Sequence, residues 1–253
     1  MRSDDFRTRL LARERLAGIW ANLNGCVPVE ILSTAPGLDW VGIDCEHVPY
    51  TIDKVLEQLR AAQAGHATTV VRTAGHDPVH IAALLDIGVA HLIVPHVDTA
   101  EQARAVVGHT RYPPEGGRGY ASGTRACAYG RHKAYASGAN NAVCLVVMAE
   151  TVTALRQLED IARVPGVDAI YIGAADLAAD MGLMGQPAHP LVRAEIEAAI
   201  RTIVDAGGVA GISVQSAALC TAYTGLGASF LSIGQDVHLF SDAVDRQIKT
   251  ILQ

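Results

Sequence analysis

Eight short apolar runs, each followed by a stretch of helix length, predict an α/β chain folded as a (β/α)8 TIM-type barrel with an extra N-terminal helix. The runs are apolar on consecutive positions rather than alternating ones, as strands covered on both faces are. Eight units fit a closed barrel, whereas an open doubly wound sheet more often has five or six strands and a reversal of order. The length of 253 residues falls within the range of one such barrel, so residues 1–253 are expected to form a single domain.

The opening helix is expected at about 4–13, within the charged stretch MRSDDFRTRLLARERLAG. The strand candidates follow in order as LAGIWANL, DWVGIDC, ATTVVRT, AHLIVPHV, AVCLVVMAE, VDAIYIGA, VAGISV and ASFLSIG. Asp77-Pro78 puts a capping carboxylate ahead of a proline in a first helical turn, and Gly65, Gly88 and Gly207 stand where helices should end. Within the helix expected at about 189–206, Val192, Ile196, Ala199 and Ile203 recur at the helical period. One connection breaks the rhythm, at about 111–141 (RYPPEGGRGYASGTRACAYGRHKAYASGAN). It is too long and glycine-rich to be a mere link between helix four and strand five. Short helical pieces are expected in it, and a path toward the active-site side or a neighbouring subunit.

Half the residues are hydrophobic and 18% are charged, which suits a large buried core and excludes a disordered chain. The net charge of −6 is spread without a basic block, so nothing marks a nucleic-acid or anionic-membrane partner. No apolar run approaches the length of about 20 residues that spans a bilayer, and the amino terminus is too charged for a secretory signal. The chain reads as cytoplasmic, with a small-molecule partner. Its five cysteines, Cys26, Cys45, Cys127, Cys144 and Cys220, are odd in number and widely spaced, and four or five of them are expected to be buried, reduced thiols.

In this fold catalytic groups gather at the carboxyl ends of the strands. Those ends are rich in polar residues: Asp44, Glu46 and His47 after strand two, Arg72 after three, His96 after four and Glu150 after five. Asp176 follows strand six, Ser213 and Gln215 strand seven, and Gln235 and Asp236 strand eight. Glu150 and Asp176 come from adjacent strands, about 4.8 Å apart, so their carboxylates can converge. Two such charges are compatible if a cation lies between them, and Mg²⁺ or Mn²⁺ suits two oxygens plus exchangeable waters. The alternative is that each caps the helix that follows it. Arg72 ends an otherwise buried strand and reads as a fixed cation for a substrate carboxylate or an enolate oxygen, or as the partner of Glu150, Asp44 or Glu46. His47, beside Asp44 and Glu46, has the carboxylate neighbour that fits a histidine for general-base work. The three lysines, Lys54, Lys133 and Lys249, all fall off the strands and their ends, which disfavours a Schiff base. No P-loop, G-x-G-x-x-G, G-x-S-x-G or H-E-x-x-H motif is present, leaving carbon-acid chemistry with a metal.

The stretches GLDWVGIDCEH, VVR followed by DPVHIAALLDIG, HLIVPHVDTAEQARAVV, TRYPPEGGRGYASGTRA, the AET after strand five, and GVDAIYIGAADLAADMG with QPAHP resemble those of the HpcH/HpaI aldolases, class II metal-dependent pyruvate aldolases. The resemblance covers nearly the whole chain, with D-x-E-H and IG-x-ADL its most specific parts. It implies an enzyme that binds a 2-oxo acid to a divalent metal (Mg²⁺, Mn²⁺ or Co²⁺), forms the enolate and adds it reversibly to an aldehyde. On this sequence it implies Glu150 and Asp176 as metal ligands, Arg72 at the enolate oxygen, and His47 as base with Asp44 behind it. The backbone around Gly173, Ala175 and Asp176 would receive the substrate carboxylate, with Ser213 a further substrate contact. It also implies a hexamer in which Asp86 reaches toward a neighbour's aldehyde pocket.

Three positions depart from the pattern. Met148 stands where a glutamine is common, replacing a polar contact with a thioether. The spacing Arg72-Thr73-Ala74-Gly75-His76-Asp77-Pro78 lacks an aromatic residue, and His96 replaces a common methionine after the strand-four proline. The leading expectation is cleavage of a 4-hydroxy-2-oxo acid to pyruvate or hydroxypyruvate plus an aldehyde. A citrate-lyase-like acyl-CoA lyase, an oxo-acid decarboxylase or hydratase and a non-catalytic 2-oxo acid binding barrel remain alternatives.

Overall fold

Strands apolar on both faces need an inner and an outer core, and the computed structural model supplies both. It describes residues 3–252, with side chains from Phe6 onward. Helix α1 (Ser3–Leu11) leads into β1 (Leu16–Ala21), α2 (Cys26–Thr34), β2 (Trp40–Asp44), α3 (Ile52–Ala61), β3 (Thr68–Arg72), α4 (Pro78–Asp86), β4 (His91–Val94) and α5 (Ala100–Thr110). After the long connection come α6 (Tyr135–Ala142), β5 (Cys144–Ala149), α7 (Val152–Arg156), α8 (Leu158–Ala162), β6 (Ala169–Ile172) and α9 (Ala174–Asp180). The chain ends with α10 (Pro190–Asp205), β7 (Ala210–Ser213), α11 (Ala217–Gly225), β8 (Ala228–Gln235) and α12 (Asp236–Leu252). The eight parallel strands lie in chain order and close with β1 against β8; seven fall within their sequence candidates, and β8 runs one residue past its own, to Gln235.

Local signals act where the sequence places them. Asp77 accepts the Val79 N–H at the start of α4, and Thr99 and Gln102 form a reciprocal capping box on α5. Gly88 and Gly207 take left-handed backbone angles, φ 94 and 87, just past α4 and α10. Gly65 ends the 3-10 turn Ala62–Ala64 that follows α3 and also serves close approach, since a Cβ there would lie 2.0 Å from the Ser33 carbonyl oxygen.

The barrel interior is aromatic. Trp20 and Trp40 meet edge to face at 5.6 Å, and Trp40 lies 4.7 Å from Phe230. Gly18 pairs with Trp40, and Gly42 with Trp20, so each indole lies over a glycine of the neighbouring strand. Helix α1 plugs the amino-terminal mouth, with Phe6 and Leu10 buried in the interior cluster and Arg7 bonded to Asp168 at 2.7 Å. Ile43, Val71, Leu92, Leu145, Ile170, Ile212 and Leu231 point outward into the second core beneath the helices.

The long connection contains short helical pieces, a 3-10 turn at Arg125–Cys127 and α6, but does not cross to the carboxyl-end rim of its own barrel. It stays at the amino-terminal face, where Arg118 pairs with Asp86, Arg125 donates to the Ile87 carbonyl, and Asn140 exchanges hydrogen bonds with the Tyr112 backbone. The reason is geometric: α5 ends and β5 begins on that face, and these contacts hold the segment between them. There it walls a cavity of about 540 Å³ with Thr68, Thr69 and His91. All five cysteines are unpaired; Cys45, Cys127 and Cys144 are buried, whereas Cys26 and Cys220 are partly accessible. No helix among the described residues is long and apolar enough to cross a membrane.

Helix α12 departs from the pattern of the other outer helices. Apart from Asp236 at its start, its side chains are exposed, including Val237, Phe240, Val244, Ile248 and Ile251, an apolar stripe at the helical period.

The glycine–tryptophan stacking gives a stability prediction. A Cβ at Gly18 would lie 2.0 Å from the Trp40 ring, which is fully buried. Gly18→Ala is expected to lower stability by about 1–3 kcal/mol, seen as a lower urea midpoint at unchanged m-value. An unaltered midpoint would show that the interior has slack at this layer.

Candidate active site

Asp44 and Arg72 are register partners on β2 and β3, so the chain brings a carboxylate and a guanidinium side by side as the strands reach the rim. Arg72 Nε and Nη2 donate to the two Asp44 oxygens at 2.8 and 2.7 Å, a bidentate fork. Asp44 is fully buried and also accepts the backbone N–H groups of Glu46 and His47 and the Asn22 amide. Burial alone would push its pKa up, but the Arg72 fork and the two backbone donors outweigh it and hold the carboxyl below its usual range. Arg72 lies over the Trp20 ring at 4.9 Å, with Nη1 2.9 Å from Glu46 Oε2 and 3.9 Å from Met148 Sδ.

Glu46 links this pair to the rest of the rim. Its Oε1 stands 3.1 Å from His96 Nε2, and His96 Nδ1 stands 3.2 Å from Glu150 Oε1. The His96 backbone N–H donates to the same Glu150 oxygen at 2.6 Å. Glu150 is 1% exposed, and its other oxygen, Oε2, is buried with no hydrogen-bond partner. Gly173 makes room for it, because a Cβ there would lie 2.3 Å from Oε2. Burial raises the Glu150 pKa; the His96 N–H and ring pull it back, and the Asp176 and Glu46 charges push it further up.

The helix-cap alternative does not describe Glu150: Thr151 caps α7 through its own hydroxyl. Asp176 lies in the first turn of α9 rather than at the end of β6, half-buried and close enough for its charge to act on Glu150. β5 and β6 are neighbours, so the two carboxylates share one sector of the rim. Among the described residues no three His, Cys, Asp or Glu side chains form a closed metal cage. An unpartnered buried oxygen beside a second carboxylate is instead the donor set of an open oxygen site for a divalent cation.

The structure does not bring Asp44 to the His47 ring. Its oxygens are turned to Arg72 and to backbone N–H groups, and the carboxylate near the ring is Glu46, with Oε2 3.6 Å from His47 Nε2. The His47 side chain is 58% exposed at the mouth. Ser213 joins Tyr171 at 2.8 Å and Ser232 at 3.1 Å in a chain of hydroxyls on the inner wall. Gly173 is buried, whereas Ala175 is exposed in the first turn of α9. Asp86 sits at the far end of α4, 2.7 Å from Arg118 and on the opposite face from this rim. Asp236 accepts the N–H groups of Asn22 and Leu23, which gives it a structural task. Two features escape a sequence reading: the stacking of Trp20 under Arg72, for which no signal exists, and the bridging of two carboxylates by His96. Its position just past the strand-four proline is the only hint.

A family model described as HpcH/HpaI aldolase/citrate lyase matches residues 16–243. The chain is 45% identical over 242 residues to a hydroxypyruvate/pyruvate aldolase of Cupriavidus necator, covering 95% of this chain and 90% of the relative. It is 42% identical to a 4-hydroxy-2-oxo-heptane-1,7-dioate aldolase of Shigella flexneri, covering 96% and 91%. The crystal structure of an HpcH/HpaI aldolase/citrate lyase family protein from Burkholderia cenocepacia J2315 superposes with a TM-score of 0.93 at 32% identity, covering 98% of both chains.

The Asp44–Arg72 fork sets a measurable requirement. Asp44→Ala leaves a buried guanidinium without its principal anion and is expected to cost about 3–5 kcal/mol at neutral pH in chemical denaturation. Because the folded pKa of Asp44 is depressed, the contribution is complete above the unfolded value of about 3.9 and is lost as pH falls through the lower folded value. Asp44→Asn, which cannot titrate, should therefore show a shallower loss of stability than the parent chain below about pH 4. Parallel acid profiles would refute the assignment.

Proposed function

Because the chain belongs to the HpcH/HpaI aldolase/citrate lyase family, we propose that it is a metal-dependent class II pyruvate aldolase. It cleaves 4-hydroxy-2-oxo acids reversibly to pyruvate or hydroxypyruvate plus an aldehyde, and acts in the cytoplasm. The observation that carries the site assignment is the buried, unpartnered Glu150 Oε2 beside Asp176, on the same rim as the Arg72 fork. Glu150 and Asp176 hold a divalent cation, Mg²⁺, Mn²⁺ or Co²⁺. Bound there, the cation supplies Lewis acidity that polarises the 2-oxo carbonyl and acidifies the C3 protons.

The remaining steps belong to the side chains of the rim. Arg72, held by Asp44 so that it does not have to reorganise, stabilises negative charge growing on the substrate ketone oxygen. His47 takes the C3 proton onto its ring in the addition direction. Glu46 Oε2 stands 3.6 Å from the ring's Nε2. The C3 carbon then bonds to the aldehyde carbon, and the new alkoxide oxygen takes a proton back. The backbone around Gly173, Ala175 and Asp176 receives the substrate carboxylate, with Gly173 leaving access that a side chain would close. Met148, 3.9 Å from Arg72, and Ser213, bonded to Tyr171, complete the substrate-binding wall.

The exposed stripe on α12 supports a homo-oligomer, with a hexamer the assembly implied by the resemblance. Its apolar residues would stand in water on an isolated chain, and α2 adds exposed Val27 and Ile31. A second copy of the chain is the occupant proposed for α12. Any contribution of Asp86 to an aldehyde pocket is then made to a neighbouring copy, since it lies on the far face of its own barrel.

Proton NMR in D₂O tests the chemistry without knowledge of the aldehyde. EDTA-stripped protein should exchange the C3 protons of pyruvate or hydroxypyruvate only after Mg²⁺ or Mn²⁺ is added, and Asp176→Ala should abolish the exchange. Silence with both donors would count against the reading. Light scattering after gel filtration tests the assembly: the parent chain should elute as an oligomer, and the double variant Phe240→Glu/Ile248→Glu as a smaller species. A monomeric parent chain would dismiss this role for α12.

A further inference from the structure

His96 is the rim residue whose position the aldolase reading leaves unused. Its backbone lies in the left-handed region, φ 55, a conformation that costs strain for a residue with a side chain and tends to persist at functional sites. In that conformation the backbone N–H points at Glu150 Oε1, at 2.6 Å. The ring returns to the same oxygen through Nδ1 at 3.2 Å and reaches Glu46 Oε1 through Nε2 at 3.1 Å. One carboxylate oxygen of Glu150 is therefore hydrogen-bonded by the His96 backbone and flanked by its ring, and the other, Oε2, is buried and unpartnered. Glu46 in turn contacts Arg72 at 2.9 Å.

We infer that His96 is a positioning residue: by holding Glu150 Oε1 with its backbone and ring, it presents Oε2 for metal ligation and ties that ligand through Glu46 to Arg72. It does not itself ligate the cation, in keeping with the lack of a three-residue cage among the described residues. Groups that hydrogen-bond a ligating side chain orient it, and their loss typically weakens metal affinity by about 10–100-fold. Here the backbone contact needs no side chain, so in a variant that keeps the left-handed turn the ring's share is separable from it. The side chain is 55% exposed, so replacing it leaves no hole in the core.

The inference rests on Glu150 being a metal ligand, and Mn²⁺ binding followed by electron paramagnetic resonance on metal-stripped protein separates the two claims. The parent chain should bind Mn²⁺ saturably, and Glu150→Gln should bind it much more weakly. His96→Leu keeps bulk but removes both ring nitrogens, and should weaken Mn²⁺ binding about tenfold or more at unchanged Tm. His96→Asn tolerates the left-handed backbone and places an amide donor where Nδ1 stands, so it should restore binding to near the parent value. If His96→Leu binds as the parent does while Glu150→Gln does not, the positioning role is refuted and the metal site stands. If His96→Asn is as weak as His96→Leu, the Nδ1 contact is not the cause and the inference fails. Tight binding by Glu150→Gln would overturn the ligand assignment, and the inference with it.

Discussion

Closure of the sheet between β1 and β8 is the constraint on which the rim depends. Eight parallel strands closed in chain order point all their carboxyl ends to one face, so residues 214 positions apart become neighbours. The closing pair is irregular: Gly18 matches Ser232 but Trp20 matches Gln235, so β8 carries an extra residue as it reaches the rim. Just past that irregularity Asp236 takes the N–H groups of Asn22 and Leu23, and the Asn22 amide reaches Asp44. The seam of the barrel is thus connected by hydrogen bonds to the carboxylate that holds Arg72.

The rim separates its carboxylates by environment. Asp44 and Glu150 are both buried, and for both desolvation is the largest influence, pushing the pKa up. Asp44 faces a guanidinium that more than offsets this, whereas Glu150 faces two further carboxylates, Asp176 and Glu46, opposed chiefly by the His96 ring and backbone N–H. The first is a permanent anion that orients a cation, and the second is a carboxylate short of a positive partner. Opposite environments give like groups different tasks. The divalent cation proposed at Glu150 and Asp176 would meet the shortage there without disturbing the fork.

Most of the architecture was legible because it depends on local periodicity. All eight strands coincide with runs visible in the sequence, β8 running one residue further, since a doubly covered strand must be apolar throughout. The path of the long connection was not legible: its glycines and arginines mark an irregular segment, but its place on the amino-terminal face follows from contacts to Asp86 and Ile87. The unpacked α12 also has no local signature, because a helix with an apolar stripe reads the same whether its own barrel or another surface covers that stripe.

The sequence by itself determined the eight-unit barrel, the extra helix at its amino terminus, and the gathering of Asp44, Glu46, Arg72, His96, Glu150 and Asp176 at one end, because strand direction and residue position are one-dimensional properties. Only the tertiary structure decided which group each of them meets. Asp44 turns to Arg72 rather than to the His47 ring, and His96 spans Glu46 and Glu150. Those pairings depend on strand register, on a left-handed turn after β4 and on the space left by Gly173, and each is fixed by packing between segments far apart in the chain.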